Sequence, residues 1–127
     1  MKVALVAHGD NPPYLKELFN GEGFDLIEKE CTNEKEYIDL LKEADGALIY
    51  LHPLTTRKVM EQCDNLKVIS RGGVGVDSVD LDAATELGIC ICNTPGINTT
   101  EVADHAMALL LSLTRKIREQ DSLVKKG

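Results

Sequence analysis

Short apolar runs recur along the chain, each parted from the next by a polar stretch with helical spacing. Val3–Ala7 is the first, followed by a Gly-Asp-Asn-Pro-Pro turn. Pro13 then suits the first turn of a helix running to about Phe19, because no N–H is needed there. Gly21 and Gly23 stop that helix, and Phe24-Asp25-Leu26-Ile27 opens a second strand. Thr32 or Asn33 caps a helix whose Tyr37, Leu40, Leu41 and Ala44 share one face. The run from Gly46 to Leu51 is apolar throughout and reads as a third strand. Thr55 and Thr56 start a helix carrying Val59 and Met60, and Leu66–Ile69 forms a fourth strand. After a loop over Gly72–Val79, Asp80 caps the helix of Leu81, Ala84 and Leu87, with Gly88 ending it. Ile89–Cys92 is the fifth strand.

Strands apolar on both faces, alternating with helices, predict a parallel sheet covered on each side. The fold class is therefore α/β, a doubly wound domain of flavodoxin-like topology. Beyond it the pattern changes. Asn93-Thr94-Pro95-Gly96-Ile97 is a turn, and Asn98 with Glu101 three residues on makes a capping-box-like start. Val102–Leu113 is then apolar almost all round, and a helix greasy on every face is buried on every face. One small domain covers a single side of it, so a second domain or a second subunit is expected on the other. Asp121–Gly127 closes no structure and reads as the middle of a longer chain.

Composition narrows the class. The chain has 127 residues, 43% of them hydrophobic and 28% charged, which suits one soluble globular domain. Fourteen Lys and Arg against 21 Asp and Glu leave a net charge of −7, so no nucleic acid and no anionic membrane is expected as partner. The apolar stretch at Ala106–Leu111 is far short of the roughly 20 residues that span a bilayer. Met1-Lys2 runs directly into Val-Ala-Leu-Val-Ala-His, with no secretory leader pattern. Cys90 and Cys92 lie two apart on one strand face and are expected as a buried pair of small apolar residues. Metal-binding C-x2-C spacing is absent, no metal is expected, and the protein is placed in the cytoplasm.

Chemistry is sought at the loop Ser70-Arg71-Gly72-Gly73-Val74-Gly75-Val76-Asp77, which follows a strand and precedes a helix. It fails as a dinucleotide fingerprint: Ser78 stands where a third glycine belongs, and Asp77 would repel a pyrophosphate. It reads instead as a backbone nest, with the amides of Val74 and Gly75 aimed at a carboxylate and Arg71 adding a charge-assisted contact. His8 and His52 follow the first and third strands, and His105 lies early in the long helix. No nucleophile motif accompanies them, so they read as structural. Asp77, Asp80 and Asp82 are explained by capping and loop bonding, and Leu109, Leu110 and Leu113 by core.

The run Leu66–Gly88 with its G-V-G-V-D loop, then Cys92-Asn-Thr-Pro-Gly-Ile-Asn-Thr-Thr-Glu-Val-Ala-Asp-His105, resembles the D-isomer-specific 2-hydroxyacid dehydrogenases, including their phosphoglycerate-type members. The resemblance implies an NAD-dependent oxidoreductase that moves a hydride between nicotinamide and a D-2-hydroxy or 2-oxo acid. It implies that residues 1–98 are the amino-terminal part of the substrate domain. Residues 99–127 would be the crossover helix and the start of a Rossmann domain, with a homodimer formed through that helix. By position, Val74 and Gly75 match the amides that hold the substrate carboxylate. Arg71 resembles a residue reaching the far phosphate, Asn98 lies near the substrate, and Val102 near the nicotinamide. Tyr50 and Leu51 border the same cleft, although phosphoglycerate-type members carry arginine where Tyr50 stands. The family's glycine fingerprint, catalytic arginine and Glu–His pair match nothing in this segment, so no catalytic residue is expected here. NAD is expected to be bound mainly by a downstream domain, and these 127 residues alone to be inactive.

Two further classes are weighed. A receiver-type signalling domain shares the βα order, but Leu51-His52 and Asn93 stand where its phospho-acceptor and lysine belong, with His8-Gly9-Asp10 at its acidic position. An NAD-sensing corepressor-like binding protein without turnover differs from the enzymes only outside this segment.

Overall fold

The structure, a computed structural model, describes residues 1–7 and 12–127. His8 and Asp10 lie outside the described residues. Five parallel strands form one sheet: β1 (Lys2–Ala7), β2 (Asp25–Glu30), β3 (Gly46–Ile49), β4 (Val68–Arg71) and β5 (Cys90–Cys92), in the order β2-β1-β3-β4-β5. The connecting helices are α1 (Tyr14–Gly21), α2 (Glu34–Leu41), α3 (Arg57–Met60) and α4 (Leu81–Leu87). The fold class read from the pattern, an α/β parallel sheet, is the one observed.

Register decides which side chains face the core. Ile27, Ala4, Ala47, Ile69 and Ile91 stand opposite one another across the five strands, so they share one face. That face packs with Tyr37, Ile38, Leu40 and Leu41 of α2, Val59 and Met60 of α3, and Ala83 and Ala84 of α4. Cap chemistry sets the helix starts. Asn33 accepts from the Glu36 amide, and Glu36 reaches back to the Thr32 amide and hydroxyl at 2.9 and 3.0 Å, a reciprocal cap. Asp80 accepts from the Ala83 amide, and Gly88 closes α4 in the left-handed conformation at φ +70°.

The opposite face is covered unevenly. Leu5 and Val3 are buried there, Leu48, Val68 and Ser70 are half-buried, and Cys90 and Cys92 are exposed. Phe19 and Phe24 close a cavity of about 240 Å³ with Val3, Leu48, Val68 and Ser70. Cover on this side therefore thins from the β1 end of the sheet towards β5. Two expectations are corrected by it: the sheet is not covered on both sides along its whole width, and Cys90 and Cys92 are not buried. Their strand is an edge strand, and only the side chain between them, Ile91, packs on the core.

Smaller corrections follow from the ladder. β4 runs over Val68–Arg71 rather than Leu66–Ile69, because Ile49 pairs with Arg71, and Leu66 is buried ahead of the strand. β3 stops at Ile49, whose carbonyl takes the Gly72 amide at 2.8 Å, so Tyr50 and Leu51 follow the strand rather than end it. On α4 the buried face is Ala83 and Ala84, with Leu81 and Leu87 exposed, since small side chains let that helix lie close to its neighbours.

Chain contacts divide the protein into two units, Met1–Pro95 and Gly96–Gly127. The second holds α5 (Thr99–Thr114) and α6 (Ile117–Val124). Within this chain α5 buries none of its residues, and Leu109 and Leu113 are 60% and 78% exposed. Nor does the capping box form, because Asn98 at φ −127°, ψ 22° departs from the extended cap geometry. α6 runs on to Val124, with Lys125 paired to Asp121 one turn back at 2.8 Å. No helix among the described residues is long and apolar enough to cross a membrane.

Candidate functional site

The glycine-bearing loop leaves β4 at the carboxyl edge of the sheet, where ligand sites of open α/β folds lie. Its backbone is held from two sides, by β3 and by the residues that follow β5. The Gly72 amide donates to the Ile49 carbonyl at 2.8 Å, the Thr94 amide to the Gly73 carbonyl at 3.0 Å, and Asn93 Nδ2 to the Val74 carbonyl at 2.7 Å. The amides of Val74 and Gly75, by contrast, meet no acceptor among the described residues. Carbonyls are thus occupied from the β5 side while two successive donors stay open, which is the polarity an anion requires.

The Arg71 side chain reinforces that polarity. Arg71 is the last residue of β4, and its guanidinium occupies the space that a Cβ on Gly73 would fill. Gly73 has φ +154°, so glycine is needed there both for backbone and for space. The Arg71 Nε is buried without a partner among the described residues. The ring of Tyr50 lies over Gly72, with Cε1 2.9 Å from where a Cβ would stand. Asp77 Oδ2 is equally close to the Cβ position of Gly75.

Of the residues singled out from sequence, Tyr50, Arg71, Val74 and Gly75 come together around this loop. Leu51 follows Tyr50 and is 51% exposed. Asn98 and Val102 belong to the second unit, where Val102 donates its amide to the Asn98 carbonyl at 3.0 Å and is exposed. Asn93 and Thr94 were read from sequence as part of a turn and of the family motif, not as site residues. Their signal was positional: they follow β5 directly, and β5 pairs with β4, so both arrive beside the loop that leaves β4.

Elsewhere at this edge, His52 and Pro53 line a cavity of about 450 Å³ with Glu30, Cys31, Thr32, Asn33 and Glu34. No cluster of three metal-ligating side chains occurs among the described residues. The loop also does not match a dinucleotide fingerprint, because Ser78 stands where a third glycine belongs. In the interior, Tyr37 and Thr55 share a 2.6 Å hydroxyl bond, and burial pushes the Tyr37 hydroxyl up to about 12. Thr55 in turn bridges to Val79 and exchanges backbone bonds with Ser78 and Asp80, anchoring the far end of the loop.

Comparison with known proteins bears on the family and the fold. D-3-phosphoglycerate dehydrogenase of Archaeoglobus fulgidus is 37% identical over 105 residues, 83% of this chain and 20% of its own length. NAD-dependent formate dehydrogenase from Staphylococcus aureus, solved in complex with NAD, superposes with a TM-score of 0.77 at 30% identity, over 94% of this chain and 40% of that one. An acyclic imino acid reductase in complex with NADPH and D-Arg gives a TM-score of 0.86 at 26% identity, over 100% of this chain and 41% of that one. The chain spans about a fifth of the length of the curated relatives it matches. Residues 3–121 match the model of the catalytic domain of D-isomer specific 2-hydroxyacid dehydrogenases, and the chain belongs to that family.

Proposed function

We propose that this chain is the substrate-binding segment of an NAD-dependent oxidoreductase acting between a D-2-hydroxy acid and its 2-oxo acid. One observation carries the reading. In a single loop the carbonyls of Gly73 and Val74 are taken by Thr94 and Asn93, while the amides of Val74 and Gly75 meet no acceptor among the described residues. A carboxylate seated there accepts from both amides, and the Arg71 guanidinium adds charge at the same end of β4. Such a grip fixes C2 of the acid in one orientation, so the segment contributes positioning and no proton transfer.

Tyr50 and Leu51 border the loop with apolar surface; Asn98 is assigned to the substrate and Val102 to the nicotinamide by the family likeness alone. The nicotinamide cofactor supplies the hydride chemistry when bound. The loop lacks a dinucleotide fingerprint, so on this reading NAD is held mainly outside these 127 residues. Residues 1–98 act as the substrate domain and residues 99–127 as the crossover. The exposed leucines of α5 fit a homodimer interface, and small 2-hydroxy or 2-oxo acids are the substrates.

Steady-state oxidation of NADH by a protein containing this segment, with a panel of 2-oxo acids, tests the proposal. Turnover with at least one acid is the expected result, and its absence with every acid would contradict it. The 127 residues by themselves are expected to show no hydride transfer.

A further inference from the structure

Asn20 and Gly21 end α1, so an asparagine is followed there by a residue with no Cβ. Both are exposed, the space around the Cβ position of Gly21 is open, and the Asn20 carboxamide meets no partner among the described residues. Because α1 buries none of its residues, its last turn opens at little cost, and opening lets the Gly21 nitrogen approach Cγ of Asn20. Asn33, Asn65, Asn93 and Asn98 precede Glu34, Leu66, Thr94 and Thr99, whose side chains restrict the same approach. The related Asp45-Gly46 pair is restrained. Asp45 accepts from the Lys2 amide at 2.7 Å, and Gly46 is buried in β3 with Val68 Cγ1 3.1 Å from its Cβ position.

We propose that Asn20-Gly21 is a site of spontaneous main-chain modification, in which the asparagine becomes aspartate or isoaspartate through a cyclic imide. The Gly21 nitrogen bonds to Cγ of Asn20, the bond from Cγ to the side-chain nitrogen breaks, and ammonia leaves with the proton of the Gly21 amide. Water then opens the ring. Opening at Cγ gives aspartate, and opening at the main-chain carbonyl carbon gives isoaspartate, whose backbone is one methylene longer. No electrons change hands, and water is the only co-reactant. The turn that receives the change is built from these residues: the Asn20 carbonyl accepts from the Gly23 amide at 3.1 Å, and the Phe19 carbonyl from the Phe24 amide at 3.0 Å. The rings of Phe19 and Phe24, 6.2 Å apart and edge to face, close the apolar cavity beneath them. A longer backbone between the two rings loosens that closure, and the new carboxylate stands at the negative end of the α1 dipole.

The test is peptide mapping by mass spectrometry of the full chain held at mildly alkaline pH, beside the same chain unfolded in urea. The expected product lies at Asn20, is heavier by about 1 Da as ammonia is exchanged for water, and contains more isoaspartate than aspartate. Gly21→Ala, whose new methyl meets nothing within 4 Å, should not lower the melting temperature and should slow conversion by about tenfold or more. Asn20→Ser should remove the product. Asn20 still intact in the folded chain after about ten half-lives of the unfolded one would overturn the proposal. So would conversion of another asparagine ahead of Asn20, or a rate that Gly21→Ala leaves unchanged.

Discussion

The side-chain amide of Asn93, one residue beyond β5, donates to the main-chain carbonyl of Val74 at 2.7 Å. The carbonyl of Val74 is thereby occupied, while the amide of the same residue meets no acceptor among the described residues. Asn93 is exposed and belongs to no packed core, so its contribution is to loop geometry rather than to folding.

Replacing it gives the first prediction. Asn93→Ala removes one neutral hydrogen bond worth about 1 kcal/mol, so a protein carrying this segment should bind its acid about fivefold more weakly. The KM for NADH and the melting temperature should change little. Equal loss for acid and NADH would mean that Asn93 supports something other than the carboxylate grip.

Glycines in the loop separate backbone from space. Gly73→Ala places a side chain at φ +154° and on top of the Arg71 guanidinium, so destabilisation of about 1–3 kcal/mol is expected by chemical denaturation. Gly75→Val meets only the movable end of Asp77, so stability should hold better while the KM for the acid rises far more than that for NADH. A stability loss at Gly75 matching that at Gly73 would contradict this division.

The Tyr37–Thr55 bond predicts an alkaline limb. The Tyr37 hydroxyl is raised from 10 to about 12, so the folded state holds its proton where the unfolded chain has lost it. Its contribution is therefore full below pH 10 and lost as pH rises towards about 12. Cys63, raised from 9 to about 11 by burial, acts with the same sign over a lower window. Urea denaturation of Tyr37→Phe should show about 1–3 kcal/mol less stability at neutral pH, because the Thr55 hydroxyl loses its partner. Above pH 10 that gap to the wild type should narrow; a constant gap up to pH 12 would refute the assignment.

Legibility in the sequence followed locality. Tyr37, Leu40, Leu41 and Ala44 repeat at helical spacing and are all buried, and Asp80 and Gly88 bracket α4 as their chemistry dictates. Strand limits were less legible, since apolar content extends past the ladder at Tyr50 and precedes it at Leu66. Which face of β5 is covered depends on neighbours in space, and so Cys90 and Cys92 were misread while Ile91 between them packs as a core residue. At the site, Val74, Gly75 and Arg71 were legible from one glycine-rich turn. Asn93 was not, because its partner is 19 residues away and joins it only through the pairing of β4 with β5.

The leucines of α5 carry a prediction about assembly. Leu109 and Leu113 lie four apart on one helical face and are exposed. If they meet a second copy, sedimentation velocity should find the protein dimeric, and Leu109→Lys with Leu113→Lys should shift it to the monomer. A monomeric wild type would remove α5 from the proposed interface.

Amide nitrogen–proton correlation spectra of the ¹⁵N-labelled chain, recorded during titration with a 2-oxo acid, bear most directly on the carboxylate grip. The amides of Val74 and Gly75 should move downfield together and saturate, with those of Gly72 and Thr94, already bonded inside the protein, moving less. Unmoved Val74 and Gly75 signals at saturating acid, or larger shifts confined to another part of the sheet edge, would contradict it.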